Sequence, residues 1–259
     1  MATAAPPAVT LAGADGCKAG WIAVFKEPGG VPAVRVTPSF AALLQSLPDD
    51  AVVAVDMPIG LPDFTTKGGR GPEVLVRPLL GERQSSVFSI PSRAAVYAEP
   101  GPFADVAAWY AGHRRASAMA MATSDPPRGV SIQAFGIFAK IREVDSLLRA
   151  QPRLRERVFE SHPEVAFWRL NDGLAMRLPK KVRGAVNPAG MEERKALLAR
   201  HGYDRAFLDQ APPRGAAADD FLDAAAMFVI AGRIARGEAR SFPEPPGTDR
   251  FGIPVAIWT

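Results

Sequence analysis

Cysteine is almost absent: Cys17 is the only one in 259 residues, which excludes a disulfide within the chain and any zinc site built on thiolates. No histidine stands near it in sequence, so beside Lys18 in a Gly-rich bend it reads as a small turn residue rather than an activated nucleophile. Long apolar runs are missing too, since nothing approaches the roughly 20 residues needed to span a bilayer. The opening residues, MATAAPPA, carry neither a basic start nor the apolar core of a secretory signal. The expectation is a cytoplasmic protein with no membrane partner and a disordered leader at residues 1–8. Nor is there an excess of one charge. With 31 basic residues against 27 acidic ones, the net charge of +4 permits a nucleic-acid partner without arguing for one.

What is present is an ordinary globular composition, 47% hydrophobic and 22% charged, in a chain long enough for one large domain over residues 9–259. The stretch VTLAGADGCKAGWIAVF (Val9 to Phe25) reads as two apolar strands joined by a Gly-rich bend, the first ending in Asp15. Ala33 to Thr37 predicts a third strand, and Ser39 is a plausible cap for a helix through Leu47. Ala51 to Val55 is a continuous apolar run, the pattern of a strand buried on both faces, and it ends in Asp56. In open α/β sheets, sites form at the carboxyl ends of parallel strands. If the first and fourth strands are parallel neighbours, Asp15 and Asp56 share one edge.

Residues 63–157 lack strand alternation and read as a helical insertion after the fourth strand. It opens with an arginine-rich stretch (Arg70, Arg77, Arg83, Arg93), and helices are expected near 103–121 and 131–148. Strand character returns at Val158-Phe159, ends in Glu160, and is followed by a helix from Pro163. In that ESHPE run, His162 and Glu164 admit an acid–base or metal-binding role, though a histidine beside a proline turn is more often structural. Lys180 and Lys181 belong to a basic loop, a helix is expected over 191–201, and Pro254 to Trp258 predicts a terminal strand.

The helix expected over 216–236 begins Asp219-Asp220-Phe221-Leu222-Asp223 and then turns wholly apolar. At about 100° per residue its three aspartates share one side. First-turn aspartates also suit the helix dipole, and Asp219 could cap the helix. Asp223 lies a full turn in, where capping does not explain it. Two strands ending in Asp, a third ending in Glu, and a late helix carrying Asp are what a two-cation phosphodiester hydrolase requires. Mg²⁺ prefers hard oxygen ligands, and two such ions about 4 Å apart activate a water and stabilise the leaving oxygen.

The segments GADGCKAGW, AVDMPIGLP, SSVFSIPSRAAVY, SIQAFGIFAKIREVD, VFESHPEVAFWRLN and DDFLDA, spread over nearly the whole chain, resemble the DUF429 family of predicted nucleases with an RNase H-like fold. The resemblance implies an α/β fold: a mixed five-stranded sheet of order 3-2-1-4-5 flanked by helices. It also implies a divalent-metal site at Asp15, Asp56 and the DDFLDA helix. Ser131, Gln133, Lys140 and Asp145 match a family motif of unassigned chemistry.

The expectation is therefore a nuclease acting on nucleic acid. Asp15, Asp56 and Asp223, with Asp220 or Glu160, would hold Mg²⁺ or Mn²⁺. Arg83, Arg93, Lys180 and Lys181 would contact substrate phosphate, joined by Gln133 and Lys140 from one helix. Two alternatives stand beside it. One is an ATP-dependent phosphotransferase of the sugar-kinase or actin-like type, which also places Asp and Gly at the first hairpin. The other is a non-catalytic nucleic-acid-binding protein.

Overall fold

Small and branched residues make the first hairpin a buried one. In Leu11–Cys17 (β1) and Gly20–Lys26 (β2), the side chains of Ala12, Ala14, Trp21, Ile22, Ala23 and Val24 are fully inaccessible. The computed structural model describes residues 9–259, and the leader expected at 1–8 lies outside the described residues. Strand β2 pairs antiparallel with Ala33–Thr37 (β3), while β1 pairs parallel with Val52–Asp56 (β4). Strand β4 in turn pairs parallel with Val158–Ser161 (β5), giving the mixed order β3-β2-β1-β4-β5 of an RNase H-like sheet.

Register decides which carboxylates can meet. Asp15 lies directly opposite Asp56, and Asp56 opposite Ser161, so these three positions point to one face of the sheet. Glu160 lies opposite Val55 and therefore points to the other face. The fifth strand runs one residue beyond the expected Glu160, and in a period of two that residue changes the side.

Each face has its own apolar core. One is covered by Phe40–Gln45 (α1), which Ser39 caps at the Ala42 amide, and by helices of the insertion, including Val106–Ala122 (α2) and Phe138–Ala150 (α3). The other, which Asp15 and Asp56 share, is covered by Pro163–Leu170 (α4), Pro188–Arg200 (α5) and Ala218–Ala235 (α6). Helix α6 is apolar nearly all round, as a helix buried against a sheet must be. It crosses β1 so closely that a Cβ on Gly13 would lie 1.9 Å from the Phe228 amide nitrogen and 2.2 Å from the Ala224 carbonyl oxygen. Gly13 is thus the position that admits the helix. Because Gly13 and Asp15 are two apart on one strand, the face that receives the helix also carries the aspartate.

Strand β1 runs past Asp15 to Cys17, and two further elements depart from expectation. The helix expected over 131–148 is two helices, Ile132–Gly136 and α3, separated at Ile137; glycine, a poor helix former, ends the first. Ser241–Thr248 (β6), with sequence SFPEPPGT, pairs antiparallel with the expected terminal strand Pro254–Trp258 (β7). Three prolines hide β6 from a sequence reading, yet it has a single neighbour, and an edge tolerates residues that cannot donate. Among the described residues no helix is long and apolar enough to cross a membrane.

Candidate metal centre

Three segments far apart in sequence deliver one carboxylate each to the carboxyl edge of the sheet. Asp15 comes from β1, Asp56 from the end of β4, and Asp223 from the second turn of α6. An oxygen from each lies within 4.8 Å of the other two. Asp15 is fixed by the Gly16 amide, which donates to its Oδ1 at 2.6 Å. Asp223 is 1% exposed, and its Oδ1 is buried without a protein partner. Buried polar atoms are nearly always satisfied, so an orphan oxygen on one of three converging carboxylates fits a site for a cation.

The electrostatics agree. Burial, reinforced by Asp56 and Asp223, pushes the Asp15 carboxyl well above its ordinary range. Burial and the Asp223 charge push Asp56 up to about 8. Asp223 is raised to about 6 by burial, with Lys180 opposing the shift. Three carboxylates cannot all ionise this close together unless positive charge joins them.

Part of that charge is already there. The Lys180 ammonium forms an ion pair with Asp223. Burial disfavours that ammonium, but Asp223 and Asp15 outweigh the penalty and raise its pKa. Lys181 pairs with Asp219 at 2.6 Å. Lys140 reaches the same edge from α3. Its ammonium donates to the Gly20 carbonyl at 2.5 Å and sits 4.8 Å from the centre of the Trp21 ring.

The other expected site residues are engaged elsewhere. Glu160 binds Arg70 at 2.6 Å and accepts from the Ile59 amide at 2.7 Å, on the far side of the pleat from Asp56. Arg70 also holds Glu73 at 2.7 Å, an i,i+3 pair the sequence displayed without announcing its purpose. Asp220 accepts from the Ala217 amide at 2.9 Å and so closes the first turn of α6 rather than joining the three. Arg93, expected at a phosphate, is buried between Asp145 and Asp249, because a guanidinium inside a core requires carboxylates on both arms. Arg83 pairs with its neighbour Glu82 at 3.3 Å and does not line the cavity at this edge. Gln133 is exposed on the short helix before Ile137, not on the helix that carries Lys140.

Three further residues settle into structural roles. Ser131 caps its helix at the Ala134 amide. His162 caps α4, its Nδ1 accepting from the Glu164 amide, and burial lowers its pKa to about 4. Glu164 pairs with the fully buried Arg194 at 2.5 Å. Burial also raises the Cys17 thiol, which fits an unreactive turn residue.

A cavity of about 280 Å³ lies over this edge, with Asp15, Asp56, Lys140 and Lys180 in its wall. A family model described as "Protein of unknown function (DUF429)" matches residues 13–248. No curated protein and no solved structure matches the chain.

Proposed function

The chain belongs to the DUF429 family, and we propose that it is a divalent-cation-dependent phosphodiester hydrolase, a nuclease in the broad sense. One observation carries this reading: the convergence of Asp15, Asp56 and Asp223 to within 4.8 Å at a cavity that also presents two lysines. The donor set is all oxygen, which suits Mg²⁺ or Mn²⁺ and not a softer metal. Asp15, Asp56 and Asp223 would hold the cation. Bound there, it supplies charge stabilisation to a phosphoryl oxygen and makes water a better nucleophile near neutral pH.

The remaining roles belong to the chain. The Gly16 amide keeps Asp15 oriented, and the burial of Asp15 and Asp223 limits how far bulk water screens their charges. Lys180 and Lys140 offer positive charge to a phosphate lying over the carboxylates. As the side chains stand, the group would hold one cation. A second would require Asp220 to leave the Ala217 amide, since Glu160 points to the other face of the sheet. The phosphotransferase reading is weaker, because that chemistry uses two facing sheet domains and the described residues form one five-stranded sheet.

The test is Asp15→Asn, checked for folding by circular dichroism. Mn²⁺ binding by calorimetry and Mn²⁺-dependent cleavage of a phosphodiester should both be lost. Cleavage at the wild-type rate would refute the proposal.

A further inference from the structure

The cavity at the carboxylates has an apolar part to its lining as well as a charged one. Met57, Val87, Phe88, Ile90, Ile137 and Ile257 line it. They come from the turn after β4, the segment before Arg93, the break between the two helices of the insertion, and β7. Four separate segments thus supply the apolar lining (the wall) of a cavity whose charged lining (the floor) includes Asp15, Asp56, Lys140 and Lys180, with Glu73, Glu160 and Glu164 also present. Resting on the hydrolase reading of the floor, we infer that the substrate is a single nucleotide unit, either the end of a strand or a small free phosphodiester. Its base lies against the apolar wall and its phosphate over Asp15 and Asp56.

Size, charge and chemistry support this occupant over an internal phosphate of a duplex. At about 280 Å³ the cavity is close to the lower end of the roughly 300–1,000 Å³ of small-molecule sites. Duplex binding relies on several phosphate contacts along a basic track. Of the cations in this wall, Arg70 is enclosed by Glu73 and Glu160, which leaves Lys140 and Lys180. Two ammonium groups suffice for one phosphate. The half-buried ring of Phe88 supplies the aromatic surface that a base stacks on without regard to its identity.

The experiment uses the full chain with Mn²⁺ and thymidine 5′-monophosphate as the calorimetric probe. The nucleotide should bind, and Phe88→Ala should weaken it about tenfold while leaving the Mn²⁺ affinity unchanged. Phe88→Leu keeps the apolar volume without the ring. It should show the same direction of change, so the result does not depend on a variant that folds poorly. In cleavage assays a closed circular DNA should stay intact. Shortening of a linear single strand from its end identifies the strand terminus as the source. Hydrolysis of thymidine 5′-(p-nitrophenyl phosphate) alone identifies a free diester. Cutting of the circle, or Mn²⁺ binding without nucleotide binding, or unaltered nucleotide affinity in both Phe88 variants, would overturn the inference and leave the hydrolase reading standing. Absence of Mn²⁺ binding in the wild-type protein would overturn the reading itself.

Discussion

Replacing Lys180 by glutamine tests how the site balances its charge. The ammonium pairs with Asp223, and Asp15 and Asp56 also feel it. The Lys180 side chain is 27% exposed and that of Asp223 2%, so solvent screens the attraction only in part. Unit charges about 4 Å apart at an effective dielectric of about 20 attract by about 4 kcal/mol, and desolvation leaves a smaller net value. A divalent cation that takes both Asp223 oxygens, the free Oδ1 and the Oδ2 that Lys180 holds, must displace this ammonium, so the wild-type protein loses the pair when it binds metal. Lys180→Gln has no pair to lose. Its Mn²⁺ dissociation constant should fall about tenfold, equivalent to about 1.4 kcal/mol, a third or so of the gross Coulomb energy. Calorimetric titration near pH 8, with folding checked by circular dichroism, reads this directly. In the proposed reaction the lysine would also face the substrate phosphate, so kcat/KM should drop about tenfold or more even as metal binds more tightly. Equal or weaker Mn²⁺ affinity in the variant would refute the idea that the ammonium stands where the cation goes.

Three other outcomes follow from the same geometry. Asp56 and Asp223 have native pKa values of about 8 and 6, above the ordinary 3.8, so the native state binds their protons more tightly than the unfolded chain does. The stability this adds is complete below about pH 4 and is lost as pH rises through 6 and then 8, so the metal-free melting temperature should decline over that window. Saturating Mn²⁺ should flatten or reverse that slope, and a flat metal-free profile in differential scanning calorimetry would contradict the raised values. Gly13→Ala sets a methyl group against the backbone of α6 and should cost about 3 kcal/mol or more, lowering the melting temperature by about 10 °C; an unchanged melting curve would mean the helix is not seated there. Arg93→Met strands Asp145 and Asp249 in the core and should destabilise by about 3–5 kcal/mol in denaturant titration, with Mn²⁺ affinity unchanged. Wild-type stability with a raised KM would instead restore Arg93 to the phosphate.

Much of the architecture was legible because it rests on local pattern. The Val52–Val55 run has the β-branched pattern of a strand buried on both faces, and the long apolar stretch after Asp223 that of a buried helix. Asp15 and Asp56 were legible as candidate site residues for a related reason, since a carboxylate near the end of such a strand needs a partner that the strand does not supply. The split at Ile137 and the proline-rich edge strand were not, because local propensity contradicts the tertiary outcome at both.

The sequence alone determined which carboxylates are candidates and which strands carry them. Only the tertiary structure decided which of them meet. A one-residue difference in where β5 ends turns Glu160 to the opposite face and gives it to Arg70, and the two arms of Arg93 find carboxylates 52 and 156 residues away. Such pairings depend on register and on long-range approach, for which a linear sequence has no period. The helix carrying Asp223 reaches Asp15 because Gly13 leaves no side chain in its path, a fact about the space between two elements and not about either one.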